Sequence, residues 1–290
     1  MLARGVNLWE REVACIKLKS QEGEQRILPM KADEIHVWNG RITAGEDGFL
    51  ELGKTLSPDE IARASRFHFE EHRRSYVIRR GLLRSILAGY LGLRPSEIQF
   101  HYGAQGKPFL QNRAMCFNVS HSQDRALYAF CKKCELGIDL EYVRELPDAE
   151  MLAQRFFAPS EYIEFCGTTP ATRTRAFFCC WTRKEAYIKA TGQGLSRPLD
   201  SFQVPIVPEQ PAKLRITTGP NEQLSGWSLR HLDPAPGYIG ALAAPLASFP
   251  LVQRTFETAE ECVSLIRCQS AFLETPVTSI RNWSRGSVLN

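Results

Sequence analysis

Short apolar runs alternate along this chain with longer stretches in which apolar positions recur every three to four residues. That pattern predicts mixed strands and helices. Val13-Ala14-Cys15-Ile16-Lys17-Leu18 is the clearest strand of a strand-rich N-terminal segment, and Ile35-His36-Val37-Trp38 predicts another strand. Ser57-Pro58-Asp59-Glu60 starts a helix: Ser caps it, Pro takes the first helical position and two acids meet its positive end. The helical signal runs from residue 60 to about 91, with a break near 67–71. Pro95-Ser96-Glu97 leads into a strand at Ile98-Gln99-Phe100. Strands at 118–120 and 126–130 flank a turn at Gln123-Asp124. A strand at 136–141 is followed by helices near 148–157, 159–166 and 171–191, then by strands near 201–206, 212–217, 226–231 and 238–244. Gly192 and Gly194 end the long helix.

This succession predicts an α+β fold built as two similar halves, 31–135 and 136–246. Residues 1–30 form an N-terminal extension. Residues 247–290 form a C-terminal appendage, with one amphipathic helix near 257–269 and a Ser/Thr/Arg-rich end.

At 290 residues the chain has room for one large domain or two fused small ones. A net charge of +4 is too mild to imply a nucleic-acid partner. No run reaches the ~18 apolar residues of a membrane span, and charges interrupt the N-terminus where a secretion signal would need an apolar core. The nine cysteines are odd in number and irregularly spaced. Cys131 and Cys134 have no second C-x-x-C and no His at metal spacing, which disfavours zinc and fits reduced thiols in the cytoplasm.

Three carboxylates change the picture. In Gly137-Ile138-Asp139-Leu140-Glu141 the two acids share one face of a strand, with Cα atoms roughly 6.5–7 Å apart. They repel unless a cation sits between them, and Mg²⁺ takes oxygen ligands of this kind. In Trp181-Thr182-Arg183-Lys184-Glu185-Ala186-Tyr187-Ile188-Lys189-Ala190, Glu185 and Lys189 are four apart on one helical face. Alternatively, the acidic pair is a solvated strand end and Glu185–Lys189 an ordinary surface ion pair. Together they suggest a magnesium-bound pyrophosphate with a lysine beside it.

Basic residues supply the rest. The 60–84 region carries Arg63, Arg66, Arg73, Arg74, Arg79, Arg80 and Arg84. Most suit a solvated face, while a few could fork onto phosphate. Lys107 sits in the turn Gly106-Lys107-Pro108. Ser120 and His121 lie at a strand end in Phe117-Asn118-Val119-Ser120-His121-Ser122, without the G-x-S-x-G of a serine hydrolase. No P-loop and no G-x-G-x-x-G is present. A Mg²⁺-dependent nuclease and a non-catalytic binding protein of the same fold are the alternatives.

These pieces, in order and with Arg63-Ala64-Ser65-Arg66-Phe67, Gly192-x-Gly194-Leu195 and Pro236-Gly237-Tyr238, resemble the Sfp-type 4′-phosphopantetheinyl transferases over roughly 55–245. The resemblance implies a pseudo-dimer of two α+β halves, with coenzyme A in the cleft between them. It implies Asp139, Glu141 and Glu185 as Mg²⁺ ligands, with Ser120 and His121 on the coenzyme A phosphates. Arg63, Lys107 and, further, Arg80 would hold the nucleotide end, and Lys189 would stand beside the pyrophosphate. The implied reaction transfers 4′-phosphopantetheine to a serine of an apo acyl or peptidyl carrier protein, releasing adenosine 3′,5′-bisphosphate. Glu185 would serve as base and a monomer would suffice.

Overall fold

The computed structural model describes residues 27–194, 197–208, 215–216 and 226–271. The strand expected at Val13–Leu18 lies outside them. Among the described residues no helix is long and apolar enough to cross a membrane.

The chain folds as α+β. The first part contains β1 (Ile35–Arg41), α1 (Glu46–Lys54), α2 (Pro58–Ala64), α3 (Glu70–Leu91), the short pair β2 (His101–Tyr102) and β3 (Pro108–Phe109), and the hairpin β4 (Cys116–Ser122) and β5 (Arg125–Cys131). The second contains β6 (Gly137–Tyr142), α4 (Ala149–Phe156), α5 (Pro159–Cys166), α6 (Pro170–Thr191), β7 (Phe202–Gln203), β8 (Arg215–Ile216), β9 (Ser228–Leu232) and β10 (Tyr238–Ala244). β11 (Leu251–Phe256) and α7 (Ala259–Ala271) complete the described chain. Two larger sheets result, in the orders β11-β1-β5-β4 and β6-β10-β9, beside the two-stranded pairs β2-β3 and β7-β8.

β5 is buried along its whole length and shows how the layers are built. Ala126, Tyr128 and Phe130 point into a core under α3, alongside Leu82, Ile86 and Trp38. Leu127, Ala129 and Cys131 point the other way, into a cluster shared with Ile138 and Leu140 of β6 and Leu242 of β10. The opposite face of β10 (Ile239, Ala241, Ala243) packs with Phe178, Ala186 and Ala190 of α6. Period-2 alternation on buried strands thus produces helix, sheet, sheet and helix in sequence.

Both parts use one device to anchor the long helix. Glu60 is the third residue of α2; its Oε2 accepts from the Ser57 backbone N–H at 3.0 Å and from Arg84 Nε of α3 at 2.6 Å. Glu161 is the third residue of α5; its Oε2 accepts from the Ala158 N–H at 2.7 Å and pairs with Lys184 Nζ of α6 at 2.7 Å. Arg84 also donates to the carbonyls of Pro95 and Ile98, and Lys184 to those of Leu199 and Phe202. Both cations are buried, and these extra acceptors offset the cost of taking them out of water. Each long helix ends at a glycine in the left-handed region, Gly92 (φ 63°) and Gly192 (φ 70°).

The break in the first helical stretch falls at 65–69, and Pro95–Glu97 forms a 3-10 turn, but the strand expected at Ile98–Phe100 begins only at His101. The segment after 246, set apart as an appendage, is in its described part built into the first half. β11 pairs parallel with β1 from Ile35↔Leu251 to Gly40↔Phe256. Cys262 and Ile266 of α7 sit in the core with Leu28 and Leu82.

The two sheets meet along β4 and β6 without a backbone ladder. Asn118 Oδ1, Ser120 Oγ and Ser122 Oγ, alternate residues of β4, accept from the backbone N–H groups of Ile138, Leu140 and Tyr142 at 2.8, 3.2 and 3.0 Å.

Candidate active site

The site grows from that seam. The odd residues of β6 face α6, and Gly137 opens the approach. A Cβ there would fall 2.0 Å from the Ala186 carbonyl oxygen and 2.4 Å from the Ala190 nitrogen. With a bare glycine and small Ala186 and Ala190, α6 comes close enough to bring Glu185 and Lys189 over Asp139 and Glu141.

Asp139 is 4% exposed. Its Oδ1 accepts from Lys189 Nζ at 2.6 Å and from Ser120 Oγ at 2.9 Å, while its Oδ2 is buried with no hydrogen-bond partner. Lys189 Nζ also reaches Ser120 Oγ at 3.2 Å. Glu141 Oε2 accepts from Ser122 Oγ at 3.3 Å and lies 3.6 Å from Arg144 Nη1. Each serine of the seam therefore accepts from one β6 N–H and donates to the carboxylate of the preceding residue. Glu185 makes no hydrogen bond or ion pair among the described residues.

Burial pushes the Glu141 and Glu185 carboxyls above the ordinary range, and the charge of Asp139 pushes both further. Lys189 pulls both the other way. Asp139 thus bears on both glutamates and Glu141 on Glu185, and the Lys189 ammonium offsets this only in part. Among the described residues no three His, Cys, Asp or Glu side chains close on a common point as a finished metal shell.

The other expected residues divide into two groups. Lys107 Nζ donates to Glu135 Oε2 (3.0 Å), the Leu136 carbonyl (3.1 Å) and the Lys189 carbonyl (2.9 Å). An ammonium has three donors, so all are used. Lys107 staples the β2–β3 turn to the start of β6 and the end of α6, and a phosphate contact would require one of these bonds to open. Ser120 is likewise engaged in the seam.

Arg63, Arg80 and His121 gather at the α3 side. Arg63 lies over the Tyr76 ring at 5.5 Å, and Arg80 over Phe100 at 4.9 Å. Arg80 Nη2 donates to Tyr102 Oη at 3.3 Å, and its Nε lies 3.3 Å from Glu60 Oε1, a carboxylate already shared with Arg84. Arg79, not singled out among the seven arginines of the 60–84 region, belongs here too. Its Nη1 is 3.1 Å from His121 Nδ1. Burial lowers its pKa, and the like charges of Arg80 and Arg63 add to this. One signal was available in the sequence: Arg79 and Arg80 interrupt the apolar run Tyr76-Val77-Ile78 … Gly81-Leu82-Leu83, where a purely solvated pair is out of place.

Comparison with known proteins follows the same division of the chain. Residues 135–243 match the 4′-phosphopantetheinyl transferase superfamily, and residues 42–132 match the family described as 4′-phosphopantetheinyl transferase, N-terminal. The 4′-phosphopantetheinyl transferase HetI of Nostoc sp. is 43% identical over 220 residues, covering 74% of this chain and 90% of the relative. The 4′-phosphopantetheinyl transferase Sfp of Bacillus subtilis is 30% identical over 196 residues, 67% of this chain and 84% of the relative. The 4′-phosphopantetheinyl transferase psf-1 of Bacillus pumilus is 34% identical over 168 residues, 57% and 70% of the two chains. Two matched regions that together span the crowded carboxylates, the lysine over them and the arginine patch lead to one conclusion: the chain belongs to the 4′-phosphopantetheinyl transferase family.

Proposed function

We propose that this enzyme transfers 4′-phosphopantetheine from coenzyme A to a serine hydroxyl of an apo acyl or peptidyl carrier protein, releasing adenosine 3′,5′-bisphosphate. The observation that carries this reading is the convergence of Asp139, Glu141 and Glu185 beneath Lys189, next to a patch of three arginines with little carboxylate to balance it.

Magnesium fits the residues present. Asp139 has an unpartnered buried oxygen, and Glu141 and Glu185 are held protonation-prone by burial and by the charge of Asp139. All three offer hard oxygen donors. Asp139, Glu141 and Glu185 would hold the ion, which when bound supplies charge stabilisation to a pyrophosphate.

The chain's own residues would do the rest. Lys189, fixed by Asp139 and Ser120, places a positive charge at the pyrophosphate. Arg63, Arg79 and Arg80 take the nucleotide end with His121. The serine oxygen attacks the β-phosphorus while the bond to the leaving 3′,5′-bisphosphate breaks, and Glu185, whose carboxyl has no protein partner among the described residues, accepts the serine proton. Phosphoryl transfer of this kind depends on positioning and electrostatics more than on covalent catalysis. Both parts that frame the site come from one chain, which supports action as a monomer.

Intact-mass measurement on an apo carrier protein incubated with the enzyme, coenzyme A and Mg²⁺ tests the reading. The expected result is a gain of one phosphopantetheine that disappears with EDTA. No gain across several carrier types, with no coenzyme A binding by calorimetry, would overturn it.

A further inference from the structure

His121 is the penultimate residue of β4, and only its Nδ1 has a protein partner among the described residues: Nη1 of Arg79, at 3.1 Å. A guanidinium carries donors and no acceptor, and it does not lose its proton. Nδ1 must therefore be the acceptor, which leaves the single proton of a neutral ring on Nε2. Nε2 is then a hydrogen-bond donor free for a ligand.

Arg79 is held in place for this role. Its Nε donates to the Ser75 carbonyl at 3.2 Å, and its own carbonyl accepts from Tyr128 Oη at 3.4 Å. The charged groups that face His121 are Arg79 from α3 and Lys189 from α6, both cations. No carboxylate pairs with the ring to favour an imidazolium. Desolvation first, then these two charges, hold its pKa down to about 4.

We propose that Arg79 is a positioning residue that fixes His121 as the neutral Nε2–H tautomer, so that the arginine-lined site meets an anion with a hydrogen bond from His121 and with charge from its arginines. This rests on the coenzyme A reading above, under which the anion is the 3′-phosphate. His121 then contributes geometry and not charge. Selection of coenzyme A over 3′-dephospho-coenzyme A does not wait on protonation of the imidazole.

The test uses the full chain labelled with ¹⁵N-histidine, with Arg79→Met, Arg79→Lys and His121→Ala as variants. In the wild type, the His121 imidazole signals should report a neutral Nε2–H ring from about pH 5.5 to 8, free and with coenzyme A bound. In Arg79→Met the ring should titrate at a clearly higher pH than in the wild type, because one of the two facing cations is gone while the desolvation and Lys189 remain, and Arg79→Lys should restore part of the wild-type behaviour. Kinetically, Arg79→Met should raise KM for coenzyme A roughly tenfold while kcat falls by less than about threefold. The KM ratio of 3′-dephospho-coenzyme A to coenzyme A should acquire a protonation step that is absent from wild type and from His121→Ala.

A wild-type ring that titrates near 6.5, or an Arg79→Met ring with unchanged tautomer and pH profile, would overturn the proposal. If the tautomer follows Arg79 but the enzyme neither binds coenzyme A nor modifies a carrier, the functional reading fails and the Arg79–His121 assignment stands.

Discussion

Lys189 Nζ lies 2.6 Å from Asp139 Oδ1, and this pair is the hinge of the site's electrostatics. It couples the middle of β6 to the last turns of α6 and keeps a nearly buried carboxylate matched to a charge. It leaves Glu141 and Glu185 without an equivalent partner.

Glu185→Gln separates a base from a ligand-binding role. It should lower kcat by about 10²–10⁴-fold, the usual worth of a positioned proton acceptor. The coenzyme A dissociation constant, read by calorimetry, should change only a few-fold. Equal loss of turnover and binding would remove Glu185 from the proton-accepting role.

The same variant tests the crowding of the carboxylates. Burial and the Asp139 charge raise the folded-state pKa of Glu185 above its ordinary value of 4.5. Above the raised value the folded state carries an ionised, desolvated group; below 4.5 both states are protonated and the penalty is gone. In EDTA near pH 7, Glu185→Gln should therefore melt at a higher temperature than wild type. The gap should close as pH falls through the raised value toward 4.5. A gap that widens in acid contradicts the direction of the shift.

The β4–β6 seam should show graded costs. Asn118→Ala strands the buried N–H of Ile138, at a cost of about 1–3 kcal/mol. Ser122→Ala exposes the N–H of Tyr142, which lies at the open end and can turn to water, so its cost should be well under 1 kcal/mol. Urea unfolding of both variants checks the order, and equal midpoints would refute it.

Gly137→Ala places a methyl group against the α6 backbone. Overpacking of this kind costs about 1–3 kcal/mol. Because α6 carries Glu185 and Lys189, a shift of about 1 Å should also lower kcat about 10²-fold. Full activity with reduced stability would mean that the helix absorbs the methyl elsewhere.

How far the sequence was readable depends on where each residue's partner lies. The long helices were legible because their signals are local: a cap, a first-turn proline, acids at the start and a glycine at the end. Asp139 and Glu141 were legible because strand alternation alone puts them on one face. β11 was not, because Leu251–Phe256 is an edge strand with one fully buried residue, and its parallel partner β1 is far away in the chain. Lys107 and Arg79 show the same limit. One basic residue in a turn looks ready for phosphate but spends all its donors on three acceptors from other elements. Another, in a crowd of arginines, proves to be the one that touches His121. Lys184, inside the same motif as Glu185, points into the second core and anchors the helix that carries the site.

A backbone ladder between two sheets is nearly indifferent to side-chain identity: any residue but proline supplies the same N–H and C=O. The joint between β4 and β6 is made of one amide and two hydroxyl side chains, so it is written in the sequence. Single substitutions at 118, 120 and 122 can loosen, tighten or tilt one sheet against the other without disturbing either sheet internally. The angle between the two parts is thus exposed to point mutation in a way that neither sheet is, and at Ser120 such a change reaches Asp139 and Lys189 as well.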